Sequence, residues 1–345
     1  MLTTLKTLRL PRRRALATVS SSIISQPPHP PPVPQPREDY FGDVPPLIDA
    51  RVLQAAAKPH KAAIGDILKQ YLSAAATVLD VVLPYEAMPT KDRRPRITDA
   101  AASCRNVVAV AHCVRDGLDH KVTLASGFAL NVREGGEGTH ETLIVTCAHS
   151  LEEIRNWPRM EAAAANPRTR GASGSFVIAG ASGGLAVYPA TRVVSALPHS
   201  DLLLLAAALP PGTVHALPVA PYPARAGAAV RAHFVVHEKP SAPGWDMWVG
   251  DTWGRWEAGK VLGYRDFAGR ETEPGTYDAL SHLLFTPLPT AGSSGGPILD
   301  EETGAVVGVM LGTRMDNRVE GVRGWGVPSE SIFEMFSLPG LEGKK

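Results

Sequence analysis

No histidine follows Ser294 in this chain; the last one is His282. That order limits the fold more than any other feature, because Ser294 sits in a setting suited to nucleophilic attack. The run Gly292-Ser293-Ser294-Gly295-Gly296-Pro297 surrounds one hydroxyl with glycines, which accept positive φ and let backbone approach a substrate. Consecutive N–H groups in such a turn can converge on a developing negative charge, and proline fixes the exit. The run also satisfies the loose pattern G-x-S-x-G. An α/β-hydrolase, however, needs its histidine after the serine, so that fold is excluded.

A serine hydroxyl is a poor nucleophile until a base takes its proton, and the base needs a carboxylate to orient it. His149 is the best base. It ends the run Leu143-Ile144-Val145-Thr146-Cys147-Ala148, an apolar β-branched stretch that reads as a buried strand, and a strand end is a rigid place to hold a base. Asp201 is the best carboxylate, because it leads into Leu202-Leu203-Leu204-Leu205 and a half-desolvated acid needs a hydrogen-bonding partner. Asp246, Asp251, Asp266 and Asp278 also lie between base and nucleophile. Only the buried run after Asp201 sets it apart from them. The order His149, Asp201, Ser294 is one of the known triad orders.

Together, Thr146-Cys147-Ala148-His149, the Asp201-Leu202-Leu203-Leu204-Leu205 run and the glycine-rich serine loop resemble the trypsin-like (chymotrypsin-fold) serine proteases. Ala125-Ser126-Gly127-Phe128-Ala129-Leu130, Ala305-Val306-Val307-Gly308-Val309 and Gly324-Trp325-Gly326-Val327-Pro328-Ser329 are similar to strands of the HtrA-like branch. The resemblance runs from about Val107 to Phe336. It implies an all-β fold of two six-stranded antiparallel β-barrels with the triad between them, and no metal or organic cofactor. It also implies roles: His149 as general base, Asp201 as its orienting acid, Ser294 as nucleophile, and the N–H groups of Gly292 and Ser294 as the oxyanion hole. The expected function is a serine endopeptidase acting on a protein or peptide substrate. The alternative is a catalytically silent protease fold serving as scaffold or binding module.

The chain departs from the family at two informative places. Digestive and clotting members carry aspartate before the nucleophile, where it pairs with a newly released amino terminus. Here that position is Ser293 and no Ile-Val-Gly-Gly-like start is visible, so the oxyanion loop is expected to be held by other contacts. The base of the primary pocket aligns near Leu288, with Leu311, Gly312 and Thr313 on a wall. That suggests a neutral, apolar side chain before the cut.

Other features read more plainly. His199 has no Cys or His partner at ligand spacing, so it reads as a surface loop residue and no metal site is expected. Cys147 is flanked by small and apolar residues and reads as a buried small hydrophobe. Four tryptophans crowd into Trp245 to Trp256 without a basic cluster, which favours barrel strands and loops over a nucleic-acid platform.

The net charge of +1 implies no general attraction to nucleic acid or membrane. No run reaches the roughly 18 apolar residues of a membrane span. Three cysteines, Cys104, Cys113 and Cys147, are few for a secreted member and fit a reducing compartment, with a Cys104–Cys113 bridge left open. Lys6, Arg9, Arg12, Arg13 and Arg14 precede any acid, and Leu2, Leu5, Leu8 and Leu10 interleave with them. This is the composition of a mitochondrial transit peptide, with a disordered basic tail as the alternative.

The organisation follows. Residues 1–25 are the expected transit peptide, 26–39 a proline-rich linker and 40–100 a helical extension. Within the extension, one helix is expected over Ile48–Ala57. An amphipathic helix is expected through Ile64, Ile67, Leu68, Tyr71, Leu72, Ala75, Val78 and Leu79. The pair is read as a brace on the protease body, with oligomerisation or regulation as the alternative. Residues 101–212 form the first barrel with His149 and Asp201, 213–337 the second with Ser294, and 338–345 a tail. Met160 to Ala172 is expected as a surface insertion. The C-terminal PDZ domain of most HtrA-like relatives is not expected.

Overall fold

All six residues of the strand Leu202–Ala207 are buried, which requires cover on both of its faces. The two faces belong to different clusters. Leu202, Leu204 and Ala206 pack with Phe128, Val145 and Leu197. Leu203, Leu205 and Ala207 pack with Ile64, Ile67, Leu68 and Tyr71, from the helix Ile64–Ser73. A leucine run with no polar alternation is therefore a strand buried on both faces, one in a cluster that also holds Val306, Val309 and Val327, the other in a cluster that joins the helix Ile64–Ser73 to Val110, Ile144 and Val177.

The structure is a computed structural model that describes residues 44–59, 61–98, 103–132, 141–165, 172–180, 182–276 and 279–340. The expected transit peptide and proline-rich linker lie outside these residues. The first barrel comprises β1 (Val108–Asp116), β2 (Asp119–Ala129), β3 (Thr142–Cys147), β4 (Gly174–Ala179), β5 (Ala186–Leu197) and β6 (Leu202–Ala207). It closes in the order β1-β2-β3-β6-β5-β4, with every pairing antiparallel.

The second barrel is built from β7 (Ala229–Val236), β9 (Trp253–Arg265), β11 (His282–Thr286), β12 (Pro297–Asp300), β13 (Val306–Asn317) and β14 (Gly321–Pro328). Its order is β9-β11-β14-β13-β12-β7, and β7 pairs back onto β9 to close the ring. Two short strands, β8 (Asp246–Met247) and β10 (Glu271–Thr272), add to β9. The expected two six-stranded antiparallel barrels are thus present. One buried cluster spans both, with Phe128 and Leu204 from the first and Val306, Val309 and Val327 from the second.

The N-terminal helices pack on the first barrel. Pro46–Ala56 buries Ile48 and Val52 beside Ala109 and Ile178. Ile64–Ser73 is anchored by Gln70, whose Oε1 accepts the Val193 N–H at 2.9 Å. This second helix is shorter than its apolar spacing suggests. Ala76 takes φ 56°, Ala75 bridges Ala196, and Leu79 bridges Phe336. Backbone pairing with β5 and with the segment after β14 outcompetes continued helix, and Val78 is left exposed.

Met160–Ala165 forms a short helix; residues 166–171 of the expected insertion are outside the described set. The three cysteines are buried free thiols, so there is no Cys104–Cys113 bridge. The tryptophan-rich segment supplies β8, β9 and their connection, with Trp248 fully buried against His233.

Candidate active site

The register of β3 against β6 sets the first half of the site. Cys147 faces Leu202, so the residues just beyond β3 and just before β6 are neighbours. The Ala148 N–H donates to Asp201 O at 3.0 Å. His149 then opens a short helix, His149–Arg155. Asp201 occupies the left-handed region, with φ 54° and ψ 35°. Aspartate tolerates that region better than most residues. The turn swings its carboxylate onto His149.

Both carboxylate oxygens are used. Oδ1 accepts the His149 backbone N–H at 2.7 Å, an orphan donor of the helix start, and Oδ2 lies 2.5 Å from Nδ1. Burial is the largest influence on the imidazole and opposes its charging. The adjacent Cys147 sulfur and the Asp201 carboxylate outweigh burial and hold the His149 pKa well above its ordinary 6.5. Among the rival acids, Asp266 is engaged by Arg270, Asp251 accepts the Leu47 N–H, and Asp246 lies on exposed β8. Asp278 is outside the described residues.

Ser294 lies in the turn that enters β12. Three other segments hold that turn. From β2, the Ser126 N–H donates to Ser294 O at 2.7 Å and the Ser126 hydroxyl donates to Gly292 O at 2.8 Å. From β13, Met310 O accepts the Gly295 N–H at 2.7 Å, and the Met310 N–H donates to Gly296 O at 2.8 Å. From β7, Val235 is bonded to the side chains of Ser293 and Thr290. The loop is thus held by contacts other than a new amino terminus.

Two glycines in this turn stand where a side chain would be strained or blocked. Gly295 has φ 82°, and a Cβ there would lie 2.3 Å from Ser126 O and 2.7 Å from the Cys147 N. The serine loop therefore lies directly against β3, two residues from His149. Gly292 has φ 83°, and a Cβ there would lie 2.9 Å from His237 Nε2. Among the described residues, no protein acceptor takes the N–H of Gly292 or of Ser294. The Ser294 hydroxyl donates to Leu311 O at 3.0 Å, so its proton is held by β13.

Leu311, Gly312 and Thr313 follow one another on β13. Leu288 lies half-exposed in the loop before the serine turn. His199 is exposed, 3.7 Å from Glu334, and Cys147 is fully buried. Among the described residues no cluster of metal-ligating side chains occurs, and no helix is long and apolar enough to cross a membrane. Sequence reasoning missed Thr290, which carries no motif signal. It also gave no task to Ser126, although the residue stands inside a recognised strand.

A comparison with curated proteins finds no match. Among solved structures the chain is similar to Deg5, at 17% identity over 67% of this chain and 86% of that one, with a TM-score of 0.41. It is also similar to the active form of the Rv3671c protease from M. tuberculosis, at 21% identity over 73% and 87%, with a TM-score of 0.39. The apo MamO protease domain from Magnetospirillum magneticum is 19% identical over 65% and 93%, with a TM-score of 0.36. A family model described as a trypsin-like peptidase domain matches residues 125–309, more than half of the sequence. The chain belongs to the trypsin-like peptidase domain family.

Proposed function

We propose that this protein is a serine endopeptidase working through His149, Asp201 and Ser294. The observation that carries the reading is the two-point hold of Asp201 on His149. It lies beside a serine turn whose Gly292 and Ser294 N–H groups have no protein acceptor among the described residues. An orienting acid bonded to Nδ1 fixes the imidazole tautomer and leaves Nε2 to accept a proton.

In the proposed cycle the Ser294 hydroxyl leaves Leu311 O by rotating about χ1 toward His149. Oγ forms a bond to the substrate carbonyl carbon as its proton passes to Nε2. The carbonyl electron pair moves onto oxygen, which the N–H groups of Gly292 and Ser294 stabilise. Collapse breaks the C–N bond, and the leaving amine takes the proton from His149. Water, deprotonated by the same imidazole, then releases the acyl group and restores Ser294. No step calls on a metal or an organic cofactor.

Leu288, Leu311, Gly312 and Thr313 offer no charge to a side chain preceding the cut, which favours neutral, apolar residues there. Ranking peptides by that residue tests it, and a clear preference for Arg or Lys defeats it. The N-terminal composition supports delivery to mitochondria, tested by import of the full chain with loss of its first residues.

The engagement of Ser294 with Leu311 O favours one second reading: a protease fold kept silent as a scaffold. Digestion of an unfolded protein by the wild type and by Ser294→Ala separates the two. Fragments made only by the wild type support the endopeptidase; no fragments from either support the scaffold.

A further inference from the structure

Strand β7 outruns its neighbour. β12 pairs with Val230, Ala232 and the residue between them. Beyond that point no strand among the described residues lies on the β12 side of β7, and unpaired backbone groups at a buried edge are costly. Val235, 1% exposed, lies on this uncovered stretch.

Two hydroxyls from the serine loop take the place of the missing strand. The Val235 N–H donates to Ser293 Oγ at 2.9 Å, and Thr290 Oγ1 donates to Val235 O at 2.6 Å. The two hydroxyl oxygens lie 2.9 Å apart. A hydroxyl has one proton to give. Because the Thr290 proton goes to Val235 O, the proton between the two oxygens must come from Ser293. The direction is then fixed throughout: Val235 N–H to Ser293, Ser293 to Thr290, Thr290 to Val235 O. The ring is closed and head-to-tail, the arrangement in which each bond polarises the next.

We infer that Thr290 and Ser293 are positioning residues that pin the oxyanion turn to β7. They act through backbone, since Ser293 lies between the two N–H groups assigned to the developing oxyanion. This ring puts neutral groups where the digestive and clotting relatives have a charged pair, so it pins the turn without a titratable group. The inference rests on the proposed endopeptidase reading, and it assigns neither residue a contact with substrate.

The test uses Thr290→Val, which keeps the shape and deletes the hydroxyl, Thr290→Ser, which restores it, Ser293→Ala, and the Val/Ala double variant. The full chain is assayed for peptide turnover, for affinity to a peptide boronate that mimics the tetrahedral state, and for hydrogen exchange at the Val235 amide. Thr290→Val and Ser293→Ala should each lower kcat on the order of 10- to 100-fold, with KM shifted by no more than about threefold. Boronate affinity should fall in parallel, and Thr290→Ser should stay within about threefold of wild type.

Because the ring is one unit, the double variant should lose no more than the worse single. The Val235 amide should exchange faster in Thr290→Val, although Thr290 does not touch that N–H. Multiplying effects, an unchanged Val235 exchange rate, or losses confined to KM would overturn the inference. Exchange needs no turnover, so it also reads the ring in a variant of lowered stability. A wild type that turns over nothing while Val235 stays protected would sink the endopeptidase reading and leave the ring standing.

Discussion

Asp201 holds His149 at two points, 2.7 Å from its backbone N–H and 2.5 Å from Nδ1. One carboxylate thus caps the helix that His149 starts and orients the ring that His149 carries. Asp201→Asn should separate shape from chemistry. Asparagine accepts the same left-handed turn, yet its amide cannot hold Nδ1 protonated as a carboxylate does. Turnover should fall on the order of ten-thousand-fold with little change in melting temperature. A variant within tenfold of wild type would move the orienting role to another acid.

The elevated pKa of His149 sets the pH profile. The imidazole works as a base only when neutral. A folded pKa above 6.5 means that the base is still protonated at pH 6.5 and becomes competent only as pH rises further. The acid limb of kcat/KM, which reports the free enzyme, should therefore have its midpoint above pH 6.5. A midpoint at pH 6 would contradict the raised pKa of the imidazole.

Three histidines outside the proposed triad should make the protein acid-sensitive. Burial pushes His112, bonded to Ser175, and His233, packed against Trp248 and Trp256, down to about 3. Burial and Arg314 lower His282 to about 4. The unfolded chain binds protons at these sites below pH 6.5, whereas the folded chain refuses them until far lower pH. Stability is therefore lost as pH falls through that window, by about 1.4 kcal/mol per pH unit for each fully buried group. His149 acts in the opposite sense, but above pH 6.5. Urea midpoints at pH 7 and pH 5 should show the loss, and His233→Gln should reduce it. A midpoint independent of pH over this range would refute the buried neutral state.

Gly295→Ala should be more harmful than Gly292→Ala. A methyl at Gly295 meets backbone on two strands, at Ser126 O and Cys147 N, whereas at Gly292 it meets the ring of His237. Backbone cannot move aside as a side chain can. The first variant should lose both solubility and activity. The second should fold and turn over slowly, since one disturbed oxyanion donor costs about 3 kcal/mol. Equal solubility and activity of the pair would be inconsistent with the clash.

The candidate site is legible in the sequence where a residue's neighbours constrain it. Ser294 stands among glycines, His149 ends a β-branched run, and Asp201 opens a leucine run. Each setting names a local geometry that the two barrels then provide. The apolar spacing runs on to Leu79 whereas the helix stops at Ser73, because the backbone at Ala75 and Leu79 pairs with Ala196 and Phe336. Apolar spacing does not record which partner satisfies the backbone. Thr290 was invisible for a related reason. Its value comes from where β12 stops along β7, a tertiary fact that no local pattern encodes. The hold of Leu311 O on the Ser294 hydroxyl lies equally beyond sequence, because a carbonyl is common to every residue.

Reaction of the folded full chain with a fluorophosphonate, followed by mass analysis of the digest, asks whether Ser294 is the activated nucleophile. One adduct is expected, on Ser294, abolished in Ser294→Ala and slowed by several orders of magnitude in His149→Ala. Absence of any adduct on folded wild type, or an adduct that persists in Ser294→Ala, would contradict that role.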